Sequence, residues 1–251
     1  MKKNRPSIRP IILTLVLGLL CLAMAGSLLG CSVEEGDVGN VIDRALWDMR
    51  GYPSQQEILD HLQEKYGEDF ELVSLNPGAR FFQGIAFPRS NPELHFSLEM
   101  HDEDGNPAPI EDMRDDFQAR LAEQYIHDKL LPLFQQQFGT AEIANLRIEV
   151  ALYERTSDTR FPVDFEWLPD DGLDALAAEE EVIASASVNL MLESASSLDT
   201  VNLEQLTELI VVDAEIPLNG DLNVRAADQE PIDALHISWA VEDGQIRELN
   251  P

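Results

Sequence analysis

Hydrophobic and polar positions alternate most clearly between Glu93 and His101. There Leu94, Phe96, Leu98 and Met100 are interleaved with His95, Ser97, Glu99 and His101. That period of two predicts a strand with one core face and one wet face. Leu146, Ile148, Val150 and Leu152 repeat the pattern against Arg147, Glu149 and Ala151, predicting a strand over Leu146–Tyr153. Further strands are expected at Phe70–Leu75, Arg80–Phe87 and Val182–Leu192. Helical spacing appears elsewhere. Ile58, Leu59, Leu62 and Tyr66 lie behind a Ser54/Glu57 capping box and ahead of Gly67, which stops the helix. Val38, Val41, Ile42, Ala45, Leu46 and Met49 predict a short helix ending by Gly51. Met113, Phe117, Leu121, Tyr125, Leu130 and Phe134 predict a long helix from Glu111 to Phe138, kinked or divided at Pro132. Leu203, Leu206, Leu209 and Ile210 predict a helix within Thr200–Val212.

Asn219-Gly220 and Asp243-Gly244 read as hairpin turns, the second joining Leu235–Val241 to Gln245–Leu249. Residues 157–181, rich in acids with Pro162, Pro169 and Gly172, read as a weakly ordered loop with one helical turn. Strands come in consecutive runs rather than alternating regularly with helices. The expectation is therefore a single large α+β domain, a mainly antiparallel sheet with helices packed on one face.

The N-terminus changes the picture. Lys2, Lys3, Arg5 and Arg9 precede an apolar run from Ile11 to Leu22, and small residues lead into Leu28-Leu29-Gly30-Cys31. A basic flank, an apolar core and a small-residue cleavage region make a secretory signal. The tetrapeptide resembles the lipobox of bacterial lipoproteins, with Leu29 larger than the residue usual at its position. The resemblance implies cleavage before Cys31 and acylation of its thiol. The expected organisation is then a signal peptide over 1–30, an acidic tether over 31–38 and an extracytoplasmic domain over 39–251. Two readings compete: an uncleaved anchor, since Ile11–Leu29 approaches the roughly 20 residues that cross a bilayer, and an ordinary signal peptide cut at an A-x-A-like site with Cys31 incidental.

Glu64-Lys65-Tyr66-Gly67-Glu68-Asp69-Phe70-Glu71-Leu72-Val73, a helix stop opening into a strand, is similar to a segment of uncharacterised surface lipoproteins of Gram-positive bacteria. The resemblance implies a small envelope lipoprotein and transfers no functional residue.

Charge sharpens the partner list. The chain holds 17 Lys+Arg against 47 Asp+Glu, a net charge of −30. Removing the four basic residues of the signal leaves 13, a formal charge of −34. Such a surface is repelled by nucleic acid and by anionic headgroups, so no nucleic-acid partner is expected and the lipid on Cys31 must supply membrane attachment. Cys21 and Cys31 are the two cysteines, so after cleavage no internal disulfide is available.

Candidate chemistry is sparse. There is no phosphate-binding glycine loop, nucleophile elbow or zinc-helix motif. Glu99 and His101 share the polar strand face, and with Asp102 or Asp104 they could form a partial calcium or zinc site. No cofactor is otherwise expected. His95 would lie about 13 Å from Glu99 on a flat strand, too far to share an ion. Asp102, Asp104 and Asn106 have calcium-loop spacing, but Pro107 and Met113 occupy positions that need Gly and Glu. Phe161, Phe165 and Trp167 form an aromatic-rich piece inside the acidic loop, a candidate binding surface. Trp239, between Ile237 and Val241, reads as core. The functional expectation is a lipid-anchored binding or interaction module at the cell surface, whose partner is a protein, a peptide or an envelope ligand. An envelope hydrolase using a carboxylate pair and a solute-binding component of a transporter are the alternatives.

Overall fold

The computed structural model describes residues 51–77, 81–103, 106–154, 167, 169, 172–178, 182–228, 234–242 and 245–250. Contacts divide the chain into Met1–Tyr52 and Pro53–Pro251. The apolar run Ile11–Leu29, Cys31, Trp47 and the helix expected before Gly51 lie outside the described residues. Among those described, no helix is long and apolar enough to cross a membrane.

Pro53–Pro251 is α+β. It opens with α1 (Gln55–Tyr66), whose Ser54 hydroxyl accepts from the Glu57 N–H while Glu57 accepts from the Ser54 N–H. Gly67 ends the helix at φ 73°, a left-handed position natural to glycine. Three antiparallel strands follow, β1 (Phe70–Pro77), β2 (Phe81–Pro88) and β3 (Phe96–Glu103). Two short pieces, β4 (Asn106–Pro107) and β5 (Arg114–Asp115), pair with β3. Leu94, Phe96, Leu98 and Met100 are all buried, as their alternation requires.

The long helix is α2 (Phe117–Phe138), and it begins six residues later than the hydrophobic spacing predicts. Ile110–Asp112 forms a 3₁₀ turn, and Arg114–Asp115 is drawn onto β3 opposite Glu99 and Leu98. Met113 is fully buried from this extended segment, so its apolar character belongs to the sheet rather than to a helical stripe. Pro132 neither ends nor divides α2. It lies on the exposed side, away from the packed core. The buried face is Ala119, Ala122, Ile126, Leu130 and Phe134, with Leu121 and Tyr125 at its margin.

The second sheet has the order β10-β9-β8-β7-β6. Its strands are β6 (Ile143–Glu154), β7 (Val182–Leu192), β8 (Asn219–Ala226), β9 (Leu235–Glu242) and β10 (Gln245–Asn250). Between β6 and β7 lies α3 (Gly172–Ala178), in the region expected to be loop with one helical turn, with Leu173 and Leu176 buried. Between β7 and β8 lie α4 (Ala195–Leu198), α5 (Leu203–Glu208) and a π turn over Leu209–Asp213. That crossover makes β7 and β8 parallel, and the other pairs are antiparallel.

Asn219-Gly220 is therefore not a hairpin turn. It opens β8, and Gly220 serves close packing: a Cβ there would stand 2.0 Å from the Ala186 carbonyl oxygen and 2.8 Å from the Trp239 ring. The β9–β10 hairpin does form, with Glu242 opposite Gln245. One core joins α2, α5 and the π turn to the inner face of this sheet, through Ile126, Leu206 and Ile210 against Val188, Leu190 and Leu222.

Candidate functional site

The first sheet and α2 are tied by a buried polar joint. Asp115, 1% exposed at its side chain, accepts from Lys65 Nζ (3.1 Å), Tyr66 Oη (2.7 Å) and the Phe117 N–H (3.1 Å). Its neighbour Asp116 accepts from the Ser97 N–H and from Arg120 Nε (3.1 Å). Arg120 also reaches Glu123 Oε2 at 2.8 Å, and Glu123 Oε1 accepts from the Val150 N–H at 3.0 Å. The chain Asp116–Arg120–Glu123–Val150 thus runs from β3 across α2 to β6.

Burial pushes the Asp116 carboxyl above its usual range, against the opposing pull of the Ser97 N–H and Arg120. Burial does the same to Glu123, against the Val150 N–H and Arg120. Burial works against the Arg120 charge, yet the two carboxylates outweigh it and raise its pKa. Desolvation costs both signs of charge, and only good pairing offsets it.

Beside this chain lies a cleft of about 410 Å³, within the size range of small-ligand sites. Its walls are the connection before β3 (Asn91, Glu93, His95), the polar side of α2 (Arg120, Gln124, His127) and the edge of β6 (Leu146, Arg147, Ile148). His95 stacks on Phe87, ring centroids 5.6 Å apart, and faces this cleft rather than the Glu99–His101 pair. Arg120 and Arg147 meet Glu93 and Glu123 in this depression, beside His95 and His127. Sequence periodicity places these residues on separate elements. Only the packing of α2 between the two sheets gathers them.

A second polar arrangement covers the outer face of the second sheet. His236 Nε2 lies 3.1 Å from Ser238 Oγ, and its Nδ1 lies 2.9 Å from Asn223 Oδ1. Asn223 and Ser187 both donate to Asp221 Oδ2, at 2.9 and 2.8 Å. The Ser–His–Asn order resembles a nucleophilic triad, but the geometry lacks its other half. Ser238 lies mid-strand between β8 and β10, where ladder pairing occupies the neighbouring amides that an oxyanion hole would need. Cross-strand hydrogen bonding on an open sheet face accounts for the array.

The residues singled out from sequence fare differently. Glu99 and His101 do meet, at 3.1 Å, on the exposed face of β3. Asp104 and the side chain of Asp102 lie outside the described residues, and among those described no cluster of three metal-binding side chains occurs. Trp167 is no binding surface. It is 2% exposed, donates from Nε1 to the Gly172 carbonyl at 2.8 Å and packs edge-on to Tyr125. Its indole is part of the core of the second sheet. Phe161 and Phe165 lie outside the described residues. Trp239 is core, as expected, and donates to the Leu218 carbonyl at 2.7 Å.

No family model matches the chain, and no curated protein matches it. A solved structure of a DUF5037 family protein from Ruminococcus gnavus aligns over 76% of this chain and 93% of its own length, with 16% identity and a TM-score of 0.44. No residue role is carried over from it.

Proposed function

We propose that the protein is a lipid-anchored binding module at the extracytoplasmic face of a cell membrane. Leu28-Leu29-Gly30-Cys31 behind its basic and apolar flanks supports the anchor. The observation that carries the binding role is the 410 Å³ cleft, walled by hydrogen-bonding side chains from three elements. A hydrolase reading needs a carboxyl of raised pKa free to reach a substrate. Glu123 has the raised pKa, but Val150 and Arg120 hold its two oxygens, which suits a structural strut better than a proton donor.

Two measurements test the proposal. Expressed with its leader, the wild-type chain should partition into detergent and gain the mass of a diacylglyceryl group, while Cys31→Ala should do neither. Unchanged partitioning and mass in Cys31→Ala would remove the anchor. The binding role is tested by melting the protein with calcium, zinc, peptidoglycan fragments, oligosaccharides and short peptides. A ligand specific to the folded state adds about 2.7 kcal/mol at 100 times its dissociation constant. A panel that leaves the melting temperature unmoved counts against a small-ligand role.

A further inference from the structure

Among the described residues, the strand that floors the cleft has one edge without a partner strand. β6, twelve residues long, pairs with β7 on one side only. In an antiparallel pair, successive residues turn their peptide groups alternately toward the partner and away from it. Val150 turns its N–H away from β7 and into Glu123. The register is regular from Asn145 to Glu154, so Leu146 and Ile148 turn the same way as Val150, into the cleft that they line. Among the described residues, no group pairs with the Leu146 and Ile148 amides on that side.

Free edges are ordinarily blunted, because an unpaired row of N–H and C=O groups recruits another strand. The other outer strands follow that rule. β1 carries an irregularity between Leu72 and Ser74 and ends in Pro77, and β10 has only six residues with an irregularity between Ile246 and Glu248. The irregularity of β6 is confined to Ile143–Asn145, which leaves a straight edge beyond it. This edge is recessed rather than distorted, with α2 as its wall.

We infer that the cleft takes an extended peptide as an added strand on β6, with the peptide's flanks basic and its centre uncharged. The inference rests on the binding-module reading and names its partner class. Main-chain pairing with Leu146 and Ile148 supplies affinity, as in other cases of strand addition. Glu123 already fills the Val150 N–H and so marks where pairing stops. Charge complementarity sets the flanks. In the lining, Arg120 and Arg147 balance Glu93 and Glu123, which suits an uncharged centre, while the chain as a whole, at −30, attracts cations.

The test uses the full chain in detergent and two displayed pools of random nine-residue peptides, one flanked by Lys-Lys and one by Glu-Glu. The lysine pool should enrich, and its winners should slow hydrogen exchange at Leu146 and Ile148. N-methylation of alternate peptide residues in one phase should weaken binding at least about tenfold, and in the other phase leave it unchanged, because only one edge of the added strand meets β6. Four results overturn the inference: no enrichment, protection of β1 or β10 amides instead, equal tolerance of both methylation phases, or a dimer that pairs β6 with β6. If peptides fail while an oligosaccharide or metal raises the melting temperature, the strand-addition inference falls and the binding-module reading stands.

Discussion

The two sheets solve the same problem with different materials. Around the first, the rings of Tyr66, Phe70, Phe96 and Phe117 meet at centroid distances of 4.7 to 6.0 Å. The second is filled by aliphatic side chains from five strands, with Trp167 and Trp239 each fixed by an indole N–H to a backbone carbonyl. Three full strands and one helix offer few positions, so each must bury a large area, and aromatic rings supply it. A broad sheet can instead sum many Val, Leu and Ile contacts. The smaller region also carries the buried Lys65–Asp115–Tyr66 joint, where the larger one relies on close backbone approach at Gly220. One region is held by a few specific interactions, the other by many interchangeable ones.

That contrast can be broken at single residues. Asp115→Ala removes the acceptor shared by the Lys65 ammonium, the Tyr66 hydroxyl and the Phe117 N–H, and should cost about 3–5 kcal/mol by chemical denaturation. Hydrogen exchange should then show β1–β3 losing protection before β7 and β8. Simultaneous loss in both sheets would mean a single cooperative unit and would end the distinction.

Gly220→Ala should cost about 3 kcal/mol, because the new methyl meets the Ala186 backbone rather than a flexible side chain. Its damage should concentrate in β7 and β8, and a stability near wild type would show that the parallel pair can separate cheaply. Trp239→Phe keeps most of the ring but leaves the Leu218 carbonyl unpaired, a loss of about 1–3 kcal/mol in thermal melts.

Two smaller effects sharpen the picture where the sheets join. Gln118 is 4% exposed and, among the described residues, neither its Oε1 nor its Nε2 has a partner, so Gln118→Met should gain about 1 kcal/mol. A loss of stability would reveal a partner for the amide, such as a buried water. Glu123 supplies the pH test. Its folded pKa is raised, so the stability it contributes is fully present below its unfolded value and is lost as pH rises through the raised one. The melting-temperature advantage of wild type over Glu123→Gln should therefore be largest near pH 4 and shrink toward pH 7. A difference that grows with pH would mean that the Arg120 pair outweighs burial.

Most elements are legible in the sequence because their signals are local. The Ser54/Glu57 box, the Gly67 stop and the alternation around Phe96 and Ile148 each act within a few residues. The errors share a cause. The residues Glu111–Asp116 have helical spacing, but a neighbouring strand offered Arg114 and Asp115 ladder bonds that an isolated helix cannot match. Asn219-Gly220 has turn composition, yet the crossover before it placed the glycine against Ala186. Trp167 looked exposed because its neighbours are acidic, although its indole found a carbonyl five residues away.

By itself the sequence determined the α+β class, the amphipathic faces, the caps and the acidic surface, all of which follow from side-chain periodicity and charge. Tertiary structure decided the parallel pairing of β7 with β8, the buried Asp115 joint and the cleft at the edge of β6. Each depends on which distant segments share space, and a chain of local preferences does not specify that until the cores of both sheets have formed around α2.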